Sequence, residues 1–379
     1  MDTFAPTHHA VHVLPEGELE NKLKLGRPLR VKLGVDPTSP DVHLGFAVVL
    51  DRLREWQDAG HTVVLIVGDY TARIGDPSGR SSERPVLPDD ELDANAQRFA
   101  DQAFRVLDRD KTEVRFNGEW LAKLSFAEVV RLTRMLTVSR LLERDDFAKR
   151  FAAQEPISLS ELLYPPMQAY DSVAIDADVE IGGTDQLYNL LTGRDVMERY
   201  GKPPQLVVTY PLLVGLDGVE KMSKSRGNYI GIEEPPEEMF GKTMSIPDEA
   251  LPQWWELVAG GGDHPDSPLE WKLELARRIT ARWHGEEGAR AGEAHFTRVV
   301  RRHEAPEEIR EVAVELAPYL PGILQEVFGR SASHWRRQID QGGVKVNGEA
   351  VSTYDVDPAA LDGAVLQAGK RRFARLRSV

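Results

Sequence analysis

LRVKLGV (29–35), FAVVLDRLREWQDAG (46–60) and HTVVLIVGD (61–69) form the stretch from which the fold is read. The first alternates around β-branched residues and the third is a nearly continuous apolar run, so both read as strands. The middle segment spaces its apolar residues as a helix does and ends at Gly60, a residue suited to close a helix. Strand, helical crossover and strand open a doubly wound parallel α/β sheet, because the right-handed crossover is the return a twisted sheet favours. Ligands of such a sheet lie beyond the carboxyl ends of its strands. The loops after Val35 and Val67 are therefore where chemistry is expected.

Working outward, residues 91–175 read as mainly helical, most clearly at 91–107 and 126–142. Strand signals return with VEIGG (179–183) and LVVTYPLL (206–213), separated by a helix over 185–200. The Pro-rich EEPPEEMF after Ile232 marks a boundary, and from there to about Leu320 helices are interrupted by a Gly- and Pro-containing loop around 260–268. SASHWRRQIDQGGVKVNGEAV then predicts a helix opened by serines and a hairpin turning on Asn-Gly. The expected division is an α/β domain over 1–232 with a helical insertion at about 91–175, a helical domain over 233–320, and a small α+β domain over 321–379.

Composition narrows the class. At 379 residues, with 41% hydrophobic and 28% charged, the chain fits a globular protein of two or three domains. No apolar run approaches a bilayer span, and the N-terminus lacks the basic-then-apolar layout of a signal peptide, so a cytoplasmic protein without membrane contact is expected. Zero cysteines exclude disulfides and thiolate ligands, and no metal-ligating set is expected. The net charge of −14 argues against broad nucleic-acid affinity. Residues 330–379, however, hold nine Lys and Arg against five Asp and Glu, a balance of +4 that leaves −18 on residues 1–329. An acidic body with a basic tail fits a catalytic domain carrying an RNA-contact module. It equally fits a charge asymmetry without function.

Five stretches carry polar chemistry. VDPTSPDVHLGF (35–46) sets His43 and Gly45 where a strand ends and a helix begins, a position that favours phosphate. Taken alone, the same pattern describes a capping or core histidine. GDYTARIGDPSGRSSER (68–84) falls at the same sheet edge, although its Asp-Pro-Ser-Gly is also good turn chemistry. LLYPPMQAYD (162–171) puts Tyr164, Gln168 and Asp171 on one helical face, which would line a pocket or face solvent. IGGTDQLYN (181–189) offers glycines for close approach to a ligand, with Asp185 and Gln186 opening the next helix. EKMSKSRGNYI (220–230) carries Lys221 and Lys224 among Ser and Gly, as a loop closing over polyphosphate would.

In this order and spacing, the five stretches resemble the bacterial tyrosyl-specific members of the class I aminoacyl-tRNA synthetases, over nearly the whole chain. HLGF and KMSKS resemble the paired signature of the class, and VDPTSPDVHLGF, IGDPSGRSSER, YPPMQAYD and GGTDQ the tyrosyl set. The resemblance implies a Rossmann-like catalytic domain and a C-terminal RNA-binding module. It also implies activation of tyrosine by ATP with Mg²⁺, no tightly bound cofactor, transfer to the 3′ end of tRNA(Tyr), and a homodimer formed through the insertion.

Residue by residue, it implies that Asp171 accepts the tyrosine hydroxyl proton and that Tyr164, Gln168 and Asp76 grip the α-amino group. Asp36, Thr38, His43, Gly45, Asp185 and Gln186 match groups around ATP or the adenylate, Gln186 being counted with the tyrosine set and Gly183 with the ATP set. Arg80, Arg84, Lys221 and Lys224 match cations for pyrophosphate. Arg336, Arg337, Lys345, Arg371 and Arg372 are the expected tRNA contacts.

Two positions depart from the pattern. Phe46 stands where the signature has a second histidine, and Lys32 stands where many relatives have a tyrosine against the substrate hydroxyl. Lys32 either donates to that phenol or points away from it. The alternatives are a tryptophanyl enzyme, a small-molecule nucleotidyltransferase with the same HxG fold, and a non-catalytic RNA-binding paralogue.

Overall fold

The computed structural model describes residues 4–38, 41–78, 88–301, 309–369 and 372–378. They group into two compact units, the first formed by Met1–Glu234 with Ile246–His264 and the second by Pro235–Ser245 with Pro265–Val379.

The first unit is built on β1 (His12–Leu14), β2 (Arg30–Val35), β3 (Thr62–Val67), β4 (Thr112–Phe116), β5 (Val179–Gly183) and β6 (Leu206–Tyr210). Their order across the sheet is β1-β6-β5-β2-β3-β4, with β1 antiparallel at one edge and the other five parallel. The parallel strands thus run outward in both directions from the β2–β5 pair. That pair is the point where the winding reverses and where a doubly wound sheet opens a crevice. Val63 to Val67 of β3 are completely buried, as the uninterrupted apolar run requires.

The first crossover helix, Leu44–Asp58, turns Leu44, Ala47, Val48, Leu50, Leu53 and Trp56 inward, each large side chain contributing about 1.5–3 kcal/mol by leaving water. Gly60 follows it at φ +89°, a left-handed conformation that a residue with a Cβ adopts at a cost.

Three features differ from the sequence reading. The stretch 91–175 is not wholly helical, because Thr112–Phe116 forms the edge strand β4. Its Thr, Glu and Arg are half-buried, so it lacks the apolar run that marks β3. Buried Gln57 ties the crossover helix to β4, its amide donating to Thr112 Oγ1 at 2.7 Å and its carbonyl accepting from Asp108 N at 2.9 Å. The expected helix over 126–142 is two, Phe126–Thr133 and Val138–Leu142, because Thr137 caps the second by accepting from Arg140 N. Finally, Ile246–His264 lies within the span expected for the helical domain but belongs to the first unit, where Trp254 Nε1 donates to Val214 O and Val214 N to Gln253 Oε1.

The second unit holds the helices Pro236–Thr243 and Pro268–Phe296, the latter kinked at Gly285, and a five-stranded sheet. Its strands are β7 (Glu311–Val314), β8 (Val344–Val346), β9 (Glu349–Ala350), β10 (Val365–Ala368) and β11 (Arg372–Ser378), ordered β7-β11-β10-β8-β9. The β8–β9 hairpin turns on Asn347 and Gly348, both with positive φ, as the Asn-Gly signal predicts. Val314, Leu320, Ile323, Leu324, Trp335, Ile339, Leu366 and Leu376 share one core, so this small fold begins at β7, upstream of position 321.

Candidate functional site

A cavity of about 1000 Å³ opens in the first unit over the carboxyl ends of β2 and β5. Asp36, Thr38, His43, Gly45, Asp76, Tyr164, Gln168, Asp171, Gly183, Asp185, Gln186, Lys221 and Lys224 all line it. Arg80 and Arg84 lie outside the described residues.

Backbone pairing brings the two signature segments together. Leu44 N donates to Ile230 O at 3.0 Å and Ile232 N donates to Val42 O at 2.9 Å, so HLGF and the end of the KMSKS stretch are neighbouring strands of chain. His43 heads the crossover helix and is buried. Burial, together with the charges of Lys224 and Lys221, lowers its pKa to about 3, so the ring is neutral at pH 7. Phe46, one turn on, lies 5.0 Å ring to ring from His43 and 5.6 Å from Phe99, placing an apolar face where the family signature has a donor. A Cβ at Gly45 would meet the His43 side chain at 3.0 Å, a tight contact that the ring would have to relieve.

The side of the cavity lined by Lys221 and Lys224 is cationic but not uniformly so. Lys221 Nζ pairs with Asp185 Oδ2 at 2.6 Å. Burial lowers the pKa of Lys224 to about 8, with Asp41 opposing and Arg98 reinforcing the shift. Asn228 braces the loop, its carbonyl oxygen accepting from Ser223 N and its amide donating to Asp217.

At the other side, Asp171 is buried and accepts from Trp120 Nε1 at 2.8 Å and from Asn117 Nδ2 at 3.2 Å. Asn117 also donates to Thr71 Oγ1, which donates to Asp36 Oδ1 at 2.7 Å. Burial raises the pKa of Asp171 to about 6, against the pull of Lys32 and the two donors. Gln168 Oε1 is buried with no hydrogen-bond partner among the described residues, an acceptor suited to a bound donor.

Asp76 sits in a network: it accepts from Gln186 Nε2 at 3.0 Å, Asn189 donates to Gln186 and Ser78, and buried Arg144 donates to Asn189 and Ser78. Sequence reasoning missed Asn117, Trp120, Asn189 and Arg144. The Asn-Gly after β4 was the one available signal, hidden because β4 itself was not recognised.

Lys32 points away from the cavity, the second of its two expected placements. It is fully buried and absent from the cavity lining, with its ammonium on Glu180 Oε1 at 2.8 Å, Ser172 Oγ at 2.8 Å and Gln168 O at 3.1 Å. All three protons are taken, so none is left for a phenol.

The second unit carries the other expected contacts. Arg336 and Arg337 are exposed on the helix Ala332–Asp340, Lys345 is half-buried on β8, and the exposed Arg372 lies 5.8 Å from the Trp335 ring. Arg371 is outside the described residues.

The raised pKa of Asp171 has a measurable consequence. A carboxyl that binds its proton more tightly folded than unfolded stabilises the fold below about pH 4, and that contribution is lost as pH rises through about 6. Asp171→Asn is therefore expected to outgain the parent protein in unfolding free energy by a margin that widens by about 2–3 kcal/mol between pH 4 and 7. Urea denaturation across that range measures it, and parallel curves for the two proteins would contradict it.

Residues 24–283 match the family model of tRNA synthetases class I (W and Y). The chain is 49% identical to the tyrosine–tRNA ligase of Moorella thermoacetica, over 97% of this chain and 93% of that one. It is 49% identical to that of Thermotoga maritima, over 97% and 95%. Among solved structures, the fold is similar to tyrosyl-tRNA synthetase complexed with L-tyrosine from Archaeoglobus fulgidus, with a TM-score of 0.62 at 24% identity over 75% of this chain and 96% of that one. It is also similar to the enzyme from Aeropyrum pernix, with a TM-score of 0.63 at 19% identity over 79% and 97%.

Proposed function

The chain belongs to the class I tRNA synthetases of the tryptophan and tyrosine family, its near-full-length relatives being tyrosine–tRNA ligases, and we propose how its own residues carry that ligation. Tyrosine is activated with ATP to tyrosyl-adenylate, and the tyrosyl group passes to the 3′ end of tRNA(Tyr). The observation that carries the reading is the pairing of Val42–Leu44 with 230–232, which joins His43, Lys221 and Lys224 to the cavity that Asp171 also lines.

Tyrosine lies with its hydroxyl toward Asp171 and its ammonium among Tyr164, Gln168, Asp76 and Gln186. At neutral pH Asp171 is largely ionised and accepts the phenolic proton, a bond that neither phenylalanine nor tryptophan supplies from a hydroxyl. A substrate lacking it leaves this buried carboxylate one hydrogen bond short with nothing from the ligand to replace it, which is costly. ATP enters as its magnesium complex against Asp36, Thr38, Gly45, Gly183 and Asp185. The tyrosine carboxylate oxygen attacks the α-phosphorus and the bond to pyrophosphate breaks. Neutral His43 donates a hydrogen bond to the nucleotide, while Lys221, Lys224, Arg80 and Arg84 meet charge on the departing pyrophosphate. A ribose hydroxyl of the tRNA then attacks the tyrosyl carbonyl and releases AMP. Holding both reactants replaces a covalent enzyme intermediate.

The tRNA is held by Arg336, Arg337, Lys345 and Arg372 of the second unit, together with Arg371. Exposed Phe126, Val138, Phe151 and Leu159 on the insertion support a homodimer through that surface. The enzyme acts in the cytoplasm on this reading, and no helix among the described residues is long and apolar enough to cross a membrane. The expected result of amino-acid-dependent pyrophosphate exchange into ATP, run with each of the twenty amino acids, is exchange with tyrosine far above that with any other, and only with Mg²⁺. Exchange with tryptophan, or with no amino acid, overturns the assignment.

A further inference from the structure

Lys32 and Glu180 are register partners across β2 and β5, at the strand pair where the winding of the sheet reverses. Their side chains are 0% and 2% exposed. Taking two such charges out of water is expensive and is offset only when every proton and lone pair is used, and an apolar pair of similar volume is often no less stable. Here the saturation is nearly complete. Lys32 donates to Glu180, Ser172 and the Gln168 carbonyl. The second carboxylate oxygen of Glu180 accepts from Ser172 Oγ at 3.2 Å and from Gln205 Nε2.

Stability alone does not call for this pair, but its location suggests a use. Gln168 and Ser172 flank Asp171 on the helix Tyr164–Ala174, and Glu180 itself lines the cavity.

We propose that Lys32 is a specificity-determining positioning residue: it pins the helix that carries Gln168 and Asp171 and, balanced by Glu180, sets the electrostatic field in which the substrate hydroxyl is read. The inference rests on the reading of Asp171 as the hydroxyl acceptor. It assigns Lys32 the work of a pocket donor without contact to the substrate. The groups facing Asp171 are Lys32 from β2, Glu180 from β5, the donors Asn117 and Trp120 from the segment after β4, and Asp36 through Thr71. Lys32 favours the ionised carboxylate and Glu180 disfavours it, so removing either moves Asp171 in the opposite direction.

The test is tyrosine- and phenylalanine-dependent pyrophosphate exchange by the full-length enzyme between pH 5 and 8, for the parent, Lys32→Met, Glu180→Gln and the double variant. Lys32→Met is expected to move the midpoint of the tyrosine-over-phenylalanine kcat/KM ratio up by about one pH unit. That shift lowers the ratio about tenfold below the parent midpoint and only about twofold at the new one, chiefly through KM for tyrosine. Glu180→Gln moves the midpoint down, and the double variant returns it toward the parent value. Equal losses for both amino acids with an unmoved midpoint would reduce Lys32 to a structural role and overturn the proposal.

If Lys32→Met does not fold, Glu180→Gln carries the test, and an unchanged midpoint there overturns it equally. Asp171→Asn separates the two levels of inference. If that variant keeps its preference for tyrosine, the reading of Asp171 fails. If it loses the preference while the pair variants keep theirs, only the role of Lys32 fails.

Discussion

Replacing Lys224 with alanine is expected to slow tyrosine-dependent pyrophosphate exchange by about 10²–10³-fold, while tyrosine binding measured without ATP stays within about a factor of two. Lys224 lines the cavity on the loop between β6 and Ile230, remote in the chain from the helix that holds Asp171. A cation whose anionic partner exists only as pyrophosphate departs stabilises the transition state and not the bound amino acid. Burial has already drawn its pKa down to about 8, so the free enzyme is expected to lose rate as pH rises through 8, where the ammonium becomes a neutral amine. The variant should lack that descending limb.

Lys221→Ala is expected to follow the same pattern with an added penalty. Its removal exposes Asp185, 2.6 Å away in the parent enzyme, as an uncompensated negative charge beside the phosphates. Stopped-flow adenylate formation and equilibrium dialysis of tyrosine give the two quantities separately. A loss of tyrosine affinity as large as the loss of rate would remove both lysines from the phosphate side.

Changing Arg336, Arg337 and Arg372 together to alanine is expected to cut tRNA charging about 100-fold at physiological salt and leave pyrophosphate exchange intact. The log–log salt dependence of tRNA binding should become shallower by about 2–3, each lost phosphate contact accounting for about 0.7–0.9. Substitution is the sharper test here than deletion of 330–379. Such a cut would part Val314, Leu320 and Leu324 from Trp335, Leu366 and Leu376, which share one core, and would strip β7 of its partner β11. Arg377 is a poor choice because its guanidinium is already committed to Glu311 at 3.0 Å. Equal losses in exchange and charging would mean that the three substituted arginines support the fold and not the tRNA.

Where hydrophobic period and chemistry lie within one short segment, the structure was legible in advance. The run HTVVLIVGD reads as a buried strand and is one, and VKVNGEAV forms the hairpin that its Asn-Gly predicts. Strand β4 was not legible, because an edge strand with Thr, Glu and Arg half in solvent has no apolar run to announce it. Nor was the allegiance of Ile246–His264, since a helix shows its apolar face in sequence but not the surface that face covers.

The same division runs through the site. Sequence by itself pointed to the doubly wound class and to the five polar stretches, because all of these stretches but the helical one at 162–171 overlap or follow strands of the parallel sheet. Only the tertiary structure decided what surrounds those residues. Trp120 and Asn117 reach Asp171 from beyond β4, Arg144 reaches Ser78 and Asn189 from the insertion, and Lys32 spends its protons on β5 and the helix Tyr164–Ala174. These partners are distant in the chain, and a buried charge takes its pKa and its role from neighbours brought within a few ångströms by packing, which no local pattern encodes.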